Sequence, residues 1–155
     1  MQKGKTMTYK ITDFMGTQLE LRPRLELYST RDFMGKEMPS LAIALDDITS
    51  GESEEYCILT VSFGEYIGVK NCAYIDTNNC DFADQLLAQG MAQATGFTKH
   101  SGFCEYPLWV FDEEKLKEMG EKNYQTYSDA YKKYVSDDND SENDVLEDDA
   151  MGLSM

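Results

Sequence analysis

His100 and Cys104 form the first combination of residues capable of nucleophilic catalysis, because a neighbouring histidine can take the proton of a cysteine thiol. His100 is the single histidine of the chain, and Cys104 follows four residues later. Side chains at this spacing meet on a helix, but the intervening Ser101 and Gly102 disfavour a helix. The sequence indicates no third group that would orient the histidine. We therefore expect no catalytic residues.

The acidic turn that starts at Asp76 is a second candidate site, in this case for calcium. Asp76, Asn78 and Cys80 occupy alternate positions, as the ligands of an EF-hand loop do. The pattern fails because Cys80 is a poor ligand for a hard cation, Asp81 replaces the turn glycine, and Leu87 stands where the bidentate glutamate belongs. The segment instead predicts a turn that leads into a helix capped by Asp81, and no metal site.

Phosphate and zinc sites have no support in the sequence. Gly64 and Gly68 flank Tyr66, but the chain contains no GxGxxG or GxxxxGK pattern. The loop around Tyr66 is expected to pack on a sheet, or else to form a contact surface. The four cysteines lie far apart without a CxxC pair, which predicts reduced and mostly buried thiols. We expect no cofactor.

Four tyrosines near the C-terminus recur at intervals of three, four and three: Tyr124, Tyr127, Tyr131 and Tyr134. This spacing places them on one face of a helix, here called the tyrosine stripe. We favour docking of the stripe onto the domain. A binding face for a partner stays open as the alternative, because tyrosine offers a large contact area at little entropic cost.

Charge is the strongest compositional signal, with 29 acidic and 14 basic residues and a net charge of −15. Eight of the acids follow Lys133, the last basic residue, and all lie in the segment 137–149, which contains no aromatic residue. Such a segment cannot bury enough apolar area to offset its ordering entropy, so residues 137–155 are predicted to form a disordered acidic tail. A chain of this charge repels nucleic acid, and we expect no direct nucleic-acid binding.

The elements that position these residues begin with a run of alternating apolar and polar residues from Met7 to Val61. A period of two predicts strands with one buried face. Pro23 places its strand at a sheet edge or a bulge, because proline donates no ladder hydrogen bond. The four predicted strands, at 7–12, at 19–27, beginning at 41–45 and at 56–61, form an antiparallel meander.

The tetrad Asp-Phe-Met-Gly occurs twice, at Asp13–Gly16 and Asp32–Gly35. We interpret each copy as a turn in which glycine adopts a positive φ, rather than as a remnant of duplication. Further along the chain, the pattern predicts a short strand at 73–75, a helix from Asp81 to a stop at Gly96, a strand at 103–111, a helix capped by Asp112, and a last helix at 124–135.

The whole pattern predicts an α+β fold, in which about two to three helices pack on an antiparallel meander and a disordered acidic C-terminal tail follows. Residues 1–6 form an N-terminal extension, 7–136 a single domain and 137–155 the tail. Trp109, on the most continuously apolar strand, is expected to be buried. The sequence contains no signal peptide and no apolar run of membrane-spanning length. We therefore expect a cytoplasmic protein without membrane contact.

Three stretches carry a resemblance to a known family. They are SFGEYIGVKNCAYIDTNNCDFADQLL at 62–87, SGFCEYPLWVF at 101–111 and MTYKITDFMGTQLELRPRLELYS at 7–29. They resemble a domain-of-unknown-function family, number 4313, of small acidic proteins encoded on plasmids and integrative conjugative elements of Gram-positive gut bacteria. The family has no assigned activity, so no residue role is carried over. The resemblance implies a mobile-element setting, where small acidic proteins often disarm host defence.

These observations favour an acidic protein that inhibits a basic, nucleic-acid-handling defence protein, a CRISPR effector or a restriction nuclease, by mimicking nucleic acid. An extended tail would space its acids about 5 Å apart, against about 1.7 Å per charge of duplex axis. The folded body would therefore have to contribute. The body acids that we expect to bind are Glu52, Glu54, Glu55, Glu65, Asp76 and Asp81.

Two other functions stay open. One is an accessory assembly or adaptor protein of a conjugative element, which would use the tyrosine stripe and the loop around Tyr66 as an aromatic interface. The other is an enzyme of unrecognised type, for which Cys80, His100 and Cys104 are the candidate chemistry.

Overall fold

The computed structural model describes residues 7–147, with side chains described for 7–136. Within this range the chain forms two four-stranded antiparallel sheets and three helices. The first sheet has the order β1-β2-β3-β4 and contains β1 (Tyr9–Thr12), β2 (Gln18–Arg31), β3 (Glu37–Asp47) and β4 (Glu54–Ile58). The second has the order β5-β6-β8-β7 and contains β5 (Thr60–Val61), β6 (Cys72–Ile75), β7 (Ala92–Ser101) and β8 (Cys104–Phe111). The helices are α1 (Ala83–Ala88), α2 (Glu113–Met119) and α3 (Glu121–Glu147).

The predicted α+β class and the antiparallel meander are confirmed by the first sheet. In β1 and β2 buried residues alternate with more exposed ones because one face covers the core, whereas β3 is buried on both faces from Ser40 to Asp46. We predicted that the strand of Pro23 lies at a sheet edge or a bulge. This prediction is wrong, because β2 is an interior strand of the first sheet. The proline is tolerated because the pairing of β1 with β2 ends at Tyr9 and Leu21, and Pro23 is paired only on the β3 side.

The second sheet was not predicted as a separate sheet, and the helix expected from Asp81 to Gly96 is shorter than predicted, because Ala92–Gly96 belong to β7. α1 ends at Ala88, and its N-cap is Phe82, without a side-chain hydrogen bond, rather than Asp81. Gly96 has a φ of +93° inside β7, where the register with β8 shifts between Ala94 and Thr98. Sequence periodicity misses β7 because it is an exposed edge strand with few buried residues.

The boundary between β8 and α2 follows the prediction. The carboxylate of Asp112 accepts hydrogen bonds from the backbone N–H groups of Glu114 and Lys115. This cap satisfies two of the donors left free at a helix N-terminus.

One hydrophobic core unites both sheets and all three helices. It includes Leu25 and Ile43 of the first sheet, Trp109 of the second and Leu86 of α1. Trp109 is 2% exposed, which confirms that it is a core residue.

Helix α3 begins and ends beyond the bounds predicted for it. Its backbone is helical to Glu147, which includes residues 137–147 of the segment for which we predicted disorder. A helix satisfies its backbone hydrogen bonds within the segment, so it does not need burial for that purpose. The predictions for residues 1–6 and 148–155 fall outside the described residues. None of the helices in the described part is long and apolar enough to cross a membrane.

Candidate protein-binding surfaces

Carboxylates from separate parts of the chain converge around edge strand β4. Tyr56, at the middle of β4, is 37% exposed. Its pKa is raised, first by burial and then, in decreasing order, by Asp13, the Cys57 thiol, Asp81 and Asp47. These three aspartates come from the β1–β2 turn, the segment before α1 and the end of β3, so only the tertiary fold brings them together.

Two further acids lie within electrostatic range of Cys57, the residue after Tyr56. Asp76 and Glu55 both help to raise the pKa of the Cys57 thiol, after the larger effects of Cys80 and of burial. We call the five residues around β4 the acidic surface: Asp13, Asp47, Glu55, Asp76 and Asp81. Glu52 and Glu54 adjoin it as exposed residues of the β3–β4 hairpin.

One arginine offsets part of this negative charge. The Arg24 guanidinium lies 3.1 Å from Asp46, 2.5 Å from Glu26 and 3.2 Å from Glu55. Hydrogen bonds to Asp46 and then to Glu26 raise the pKa of Arg24 above its ordinary value. The positive charge of Arg24 therefore offsets part of the negative charge that Glu55 adds to the acidic surface.

Glu65, the remaining predicted acid, does not belong to this surface. It forms an ion pair with Lys99 at 3.3 Å and a backbone bridge with Arg31, at the end of β2. The acidic surface lies near the start of β2, because Asp13 precedes that strand. The prediction grouped these residues by charge, whereas the fold separates them by the length of β2.

The turn that starts at Asp76 is held by hydrogen bonds to Asp76 itself. The side-chain amide of Asn79 donates to Asp76 at 2.8 Å, and the backbone N–H of Cys80 donates to the Asp76 carbonyl at 2.8 Å. The predicted turn is thus present. Across the residues with described side chains, no cluster of three or more His, Cys, Asp and Glu residues is placed to hold a metal ion.

The tyrosine stripe divides into two halves. Tyr124 and Tyr127 are 2% and 3% exposed and belong to the core. The Tyr124 hydroxyl donates to the Asn71 side-chain oxygen at 2.8 Å, and the Asn71 backbone N–H donates to the Tyr127 hydroxyl at 2.8 Å. Asn71, which sequence reasoning missed, has a φ of +67°, a conformation that asparagine tolerates better than most residues.

The other half of the stripe packs on the loop that contains Tyr66. The rings of Tyr66 and Tyr134 lie 5.1 Å apart edge to face, and the Tyr131 hydroxyl donates to the Gly68 carbonyl at 3.4 Å. Burial, with smaller contributions from Tyr131 and Tyr134, raises the pKa of Tyr66 to about 12. The Tyr66 hydroxyl is buried and finds no hydrogen-bond partner among the described residues. Tyr66 and the stripe therefore contact each other.

The two Asp-Phe-Met-Gly tetrads form matching turns, as predicted, at opposite ends of β2. Asp13 and Asp32 each accept bonds from the backbone N–H groups two and four residues ahead, at 2.9 and 2.8 Å. Each glycine has a φ of +87°. The turns present four highly exposed side chains, the Phe-Met tips: Phe14 at 84%, Met15 at 75%, Phe33 at 92% and Met34 at 76%.

A cleft of about 400 Å³ opens between the two sheets. Its walls include Leu41 of β3, Val61 of β5 and Tyr74 of β6, with Phe63 and Phe97 also lining it. The lining is mostly apolar, and its single carboxylate, Glu65, is paired with Lys99.

The structure does not assemble the histidine–cysteine pair. His100 lies opposite Glu105 in the β7–β8 ladder, with its Nε2 atom 3.3 Å from that carboxylate, while Cys104 lies opposite Ser101. Neighbouring residues of a strand point to opposite faces of a sheet, so His100 and Cys104 are on opposite faces. Cys80, the third candidate, contacts Cys57, with 3.5 Å between the two sulfur atoms.

Comparison with known proteins identifies a family and no described relative. A family model described as "Domain of unknown function (DUF4313)" matches residues 34–131, from the β2–β3 turn into α3. No curated protein and no solved structure matches the chain.

Proposed function

We propose that this chain, which belongs to the DUF4313 family, is a non-enzymatic binding protein that inhibits a basic, nucleic-acid-handling protein of host defence. The partner would be a CRISPR effector or a restriction nuclease. The setting would be the cytoplasm of a Gram-positive gut bacterium that carries a plasmid or an integrative conjugative element. The single observation that carries the proposal is the convergence of acidic residues around Tyr56.

Such a surface matches the site that a nucleic-acid-binding protein offers to phosphates. Carboxylates held on a folded scaffold present negative charge in a fixed arrangement, which speeds encounter with a basic site and fixes the register of the complex. Asp13 and Asp47 are held in this way, because each carboxylate accepts backbone N–H bonds within its own turn. No catalytic role is assigned, since His100 and Cys104 lie on opposite faces of their sheet.

The helical backbone of α3 also changes the charge density of the acidic C-terminal segment. Six acids fall between 137 and 147, and a helix rises about 1.5 Å per residue, so they are spaced about 2.7 Å apart along the axis. This spacing is closer to the roughly 1.7 Å per charge of duplex DNA than the 5 Å of an extended chain. The segment thus supports a contribution to encounter with a basic partner.

The test compares two variants of equal net charge. The surface variant carries Asp13→Asn, Asp47→Asn and Asp81→Asn, which keep the oxygen acceptors that close the turns. The control variant carries Glu65→Gln, Glu105→Gln and Asp129→Asn, at exposed positions outside the acidic surface. Each protein captures partners from host lysate, with and without competing duplex DNA.

We expect the original chain and the control variant to retain a basic nucleic-acid-binding protein that duplex DNA displaces. The surface variant should lose it. Binding should weaken steeply between about 0.05 and 0.5 M salt, because salt screens exposed charges. Equal loss in both variants, or binding insensitive to salt and to DNA, would contradict the proposal.

A second candidate function, an accessory assembly or adaptor protein, is favoured by the Phe-Met tips. The turn geometry needs the aspartate and the glycine, whereas exposed phenylalanine and methionine add nothing to the turn. The two tips are separated by β2, whose 14 residues would span about 45 Å if fully extended. They would replace the tyrosine stripe as the aromatic interface, because half of that stripe is buried.

The tips predict an apolar complex that persists in high salt. Replacing Phe14 and Met15, or Phe33 and Met34, with serine should weaken such a complex, and changing both tips should weaken it much more than either change alone. A complex that the serine variants leave intact would rule out the tips as its interface.

A further inference from the structure

Two cysteines that are 23 residues apart in the sequence meet in the fold. The Sγ atoms of Cys57, in β4, and Cys80, in the segment before α1, lie 3.5 Å apart. The Cys80 thiol also lies 3.6 Å from the Ile58 carbonyl. The two segments are held together by the ring contact of Tyr56 with Phe82 at 5.7 Å and by the backbone bond from Asp76 to Leu59 at 2.8 Å. The thiols are therefore kept in contact by the packing around them.

We propose that Cys57 and Cys80 are a redox-active dithiol, which a hydroperoxide converts into an intramolecular disulfide. In the first step the Cys80 thiol gives up its proton and its thiolate attacks a peroxide oxygen, so that an S–O bond forms and the O–O bond breaks; the departing hydroxide or alkoxide takes up a proton, which balances the one that Cys80 released, and leaves as water or an alcohol. In the second step the Cys57 sulfur attacks the Cys80 sulfenic acid, the S–O bond breaks, and the released hydroxide takes the Cys57 proton to become water. The two thiols are oxidised by two electrons, and the hydroperoxide is reduced by two.

The environment of the pair assigns the order of these steps. Either sulfur can donate the hydrogen bond between the two thiols; with Cys57 as the donor, this bond lowers the pKa of Cys80 and raises that of Cys57. Cys80 is fully buried, but Cys57 is half-buried and opens the pair to a molecule as small as a peroxide. Cys57 then acts as the resolving thiol at contact distance, which favours the disulfide over further oxidation of Cys80.

Only a small movement is needed to turn the contact between the Cys57 and Cys80 sulfur atoms into a disulfide bond. A disulfide needs about 2.05 Å between its sulfur atoms, so the pair must close by about 1.5 Å. β4 lies at the edge of its sheet and can shift more readily than an interior strand. The bond would join β4 to the turn of Asp76, two segments of the acidic surface. The inference concerns the thiols alone and does not depend on which partner that surface binds.

The experiment uses the full reduced chain, treated with hydrogen peroxide under native conditions and then alkylated. Combined digestion by trypsin and an aspartate-specific protease places each cysteine on its own peptide: Cys57 in 47–70, Cys72 in 71–75, Cys80 in 76–80 and Cys104 in 100–111. Mass spectrometry of the unreduced digest then identifies the linked pair directly.

We expect a loss of two hydrogens in the intact mass, a link between peptides 47–70 and 76–80, and a melting temperature that rises by several degrees until reductant is added. Cys72→Ser and Cys104→Ser should still form the link. Cys57→Ser should leave a sulfenic acid at Cys80 that dimedone traps. Links to Cys72 or Cys104, or Cys57 and Cys80 that both stay alkylatable while Cys104 oxidises, would overturn the proposal. Mapping of the unaltered chain decides the matter even if a serine variant does not fold.

Discussion

Removing the hydroxyl of Tyr66 should stabilise the protein or leave its stability unchanged, which is the reverse of the usual result for a buried tyrosine. The Tyr66 hydroxyl is buried and finds no hydrogen-bond partner among the described residues. An unsatisfied buried polar group costs about 1 to 3 kcal/mol. Tyr66→Phe removes that cost and leaves a void of only one oxygen atom, so we expect a gain of about 0 to 1 kcal/mol.

The matched control is Tyr127→Phe, on the same side of the domain. The Tyr127 hydroxyl accepts the backbone N–H of Asn71 at 2.8 Å, and Asn71 has a φ of +67°. Phenylalanine would leave that N–H without its partner, so we expect a loss of about 1 to 3 kcal/mol. The two substitutions delete the same atom from the same residue type, and the structure predicts opposite signs.

Urea unfolding followed by Trp109 fluorescence measures both changes, with the m-value as a check that the folded and unfolded states are otherwise unaltered. The raised pKa of Tyr66 gives a second observable. Because the folded state holds the hydroxyl proton more tightly than the unfolded state, ionisation of Tyr66 costs no stability below about pH 10, and stability falls as the pH rises toward the folded pKa of about 12. Tyr66→Phe should therefore reduce alkaline unfolding. A loss of 1 kcal/mol or more in Tyr66→Phe would show that the hydroxyl has a partner and would refute the reasoning.

Three further predictions concern the core, acid sensitivity and the C-terminal segment. Trp109→Ala should cost about 3 to 5 kcal/mol in urea unfolding, because the side chain is 2% exposed in the core; a near-neutral effect would place the indole at the surface. The backbone N–H of Lys36 is the main cause that holds the pKa of Asp32 below its ordinary value, so the stability it contributes is present above about pH 4 and is lost as the pH falls through the depressed pKa. Asp32→Asn should accordingly lose less stability than the unaltered chain between about pH 5 and pH 2, and equal losses would contradict this. Deleting residues after Ser136 removes none of the described core side chains, so stability should barely change while association with a basic partner slows at low salt. Stopped-flow binding at two salt concentrations would measure the association rates of the full and truncated chains. A faster off-rate of the truncated chain would show that the deleted segment is itself the binding site.

Local sequence chemistry determined those elements whose geometry depends on a few neighbouring residues. Alternation from Met7 to Val61 predicted the meander, because a strand with one buried face must alternate. The cap at Asp112 and the two glycine turns were equally local, since each needs one carboxylate or one positive φ. The apolar run around Trp109 predicted its burial for the same reason.

The tertiary structure alone decided which distant residues meet. Equal spacing put four tyrosines on one helical face, but burial differs between Tyr124 and Tyr134 because α3 leaves the core as it continues. β7 carries no periodic signal, because an exposed edge strand buries too little to impose one. The acidic surface and the contact of Cys57 with Cys80 join segments far apart in the chain, and such contacts depend on strand order and register, which composition and spacing do not encode.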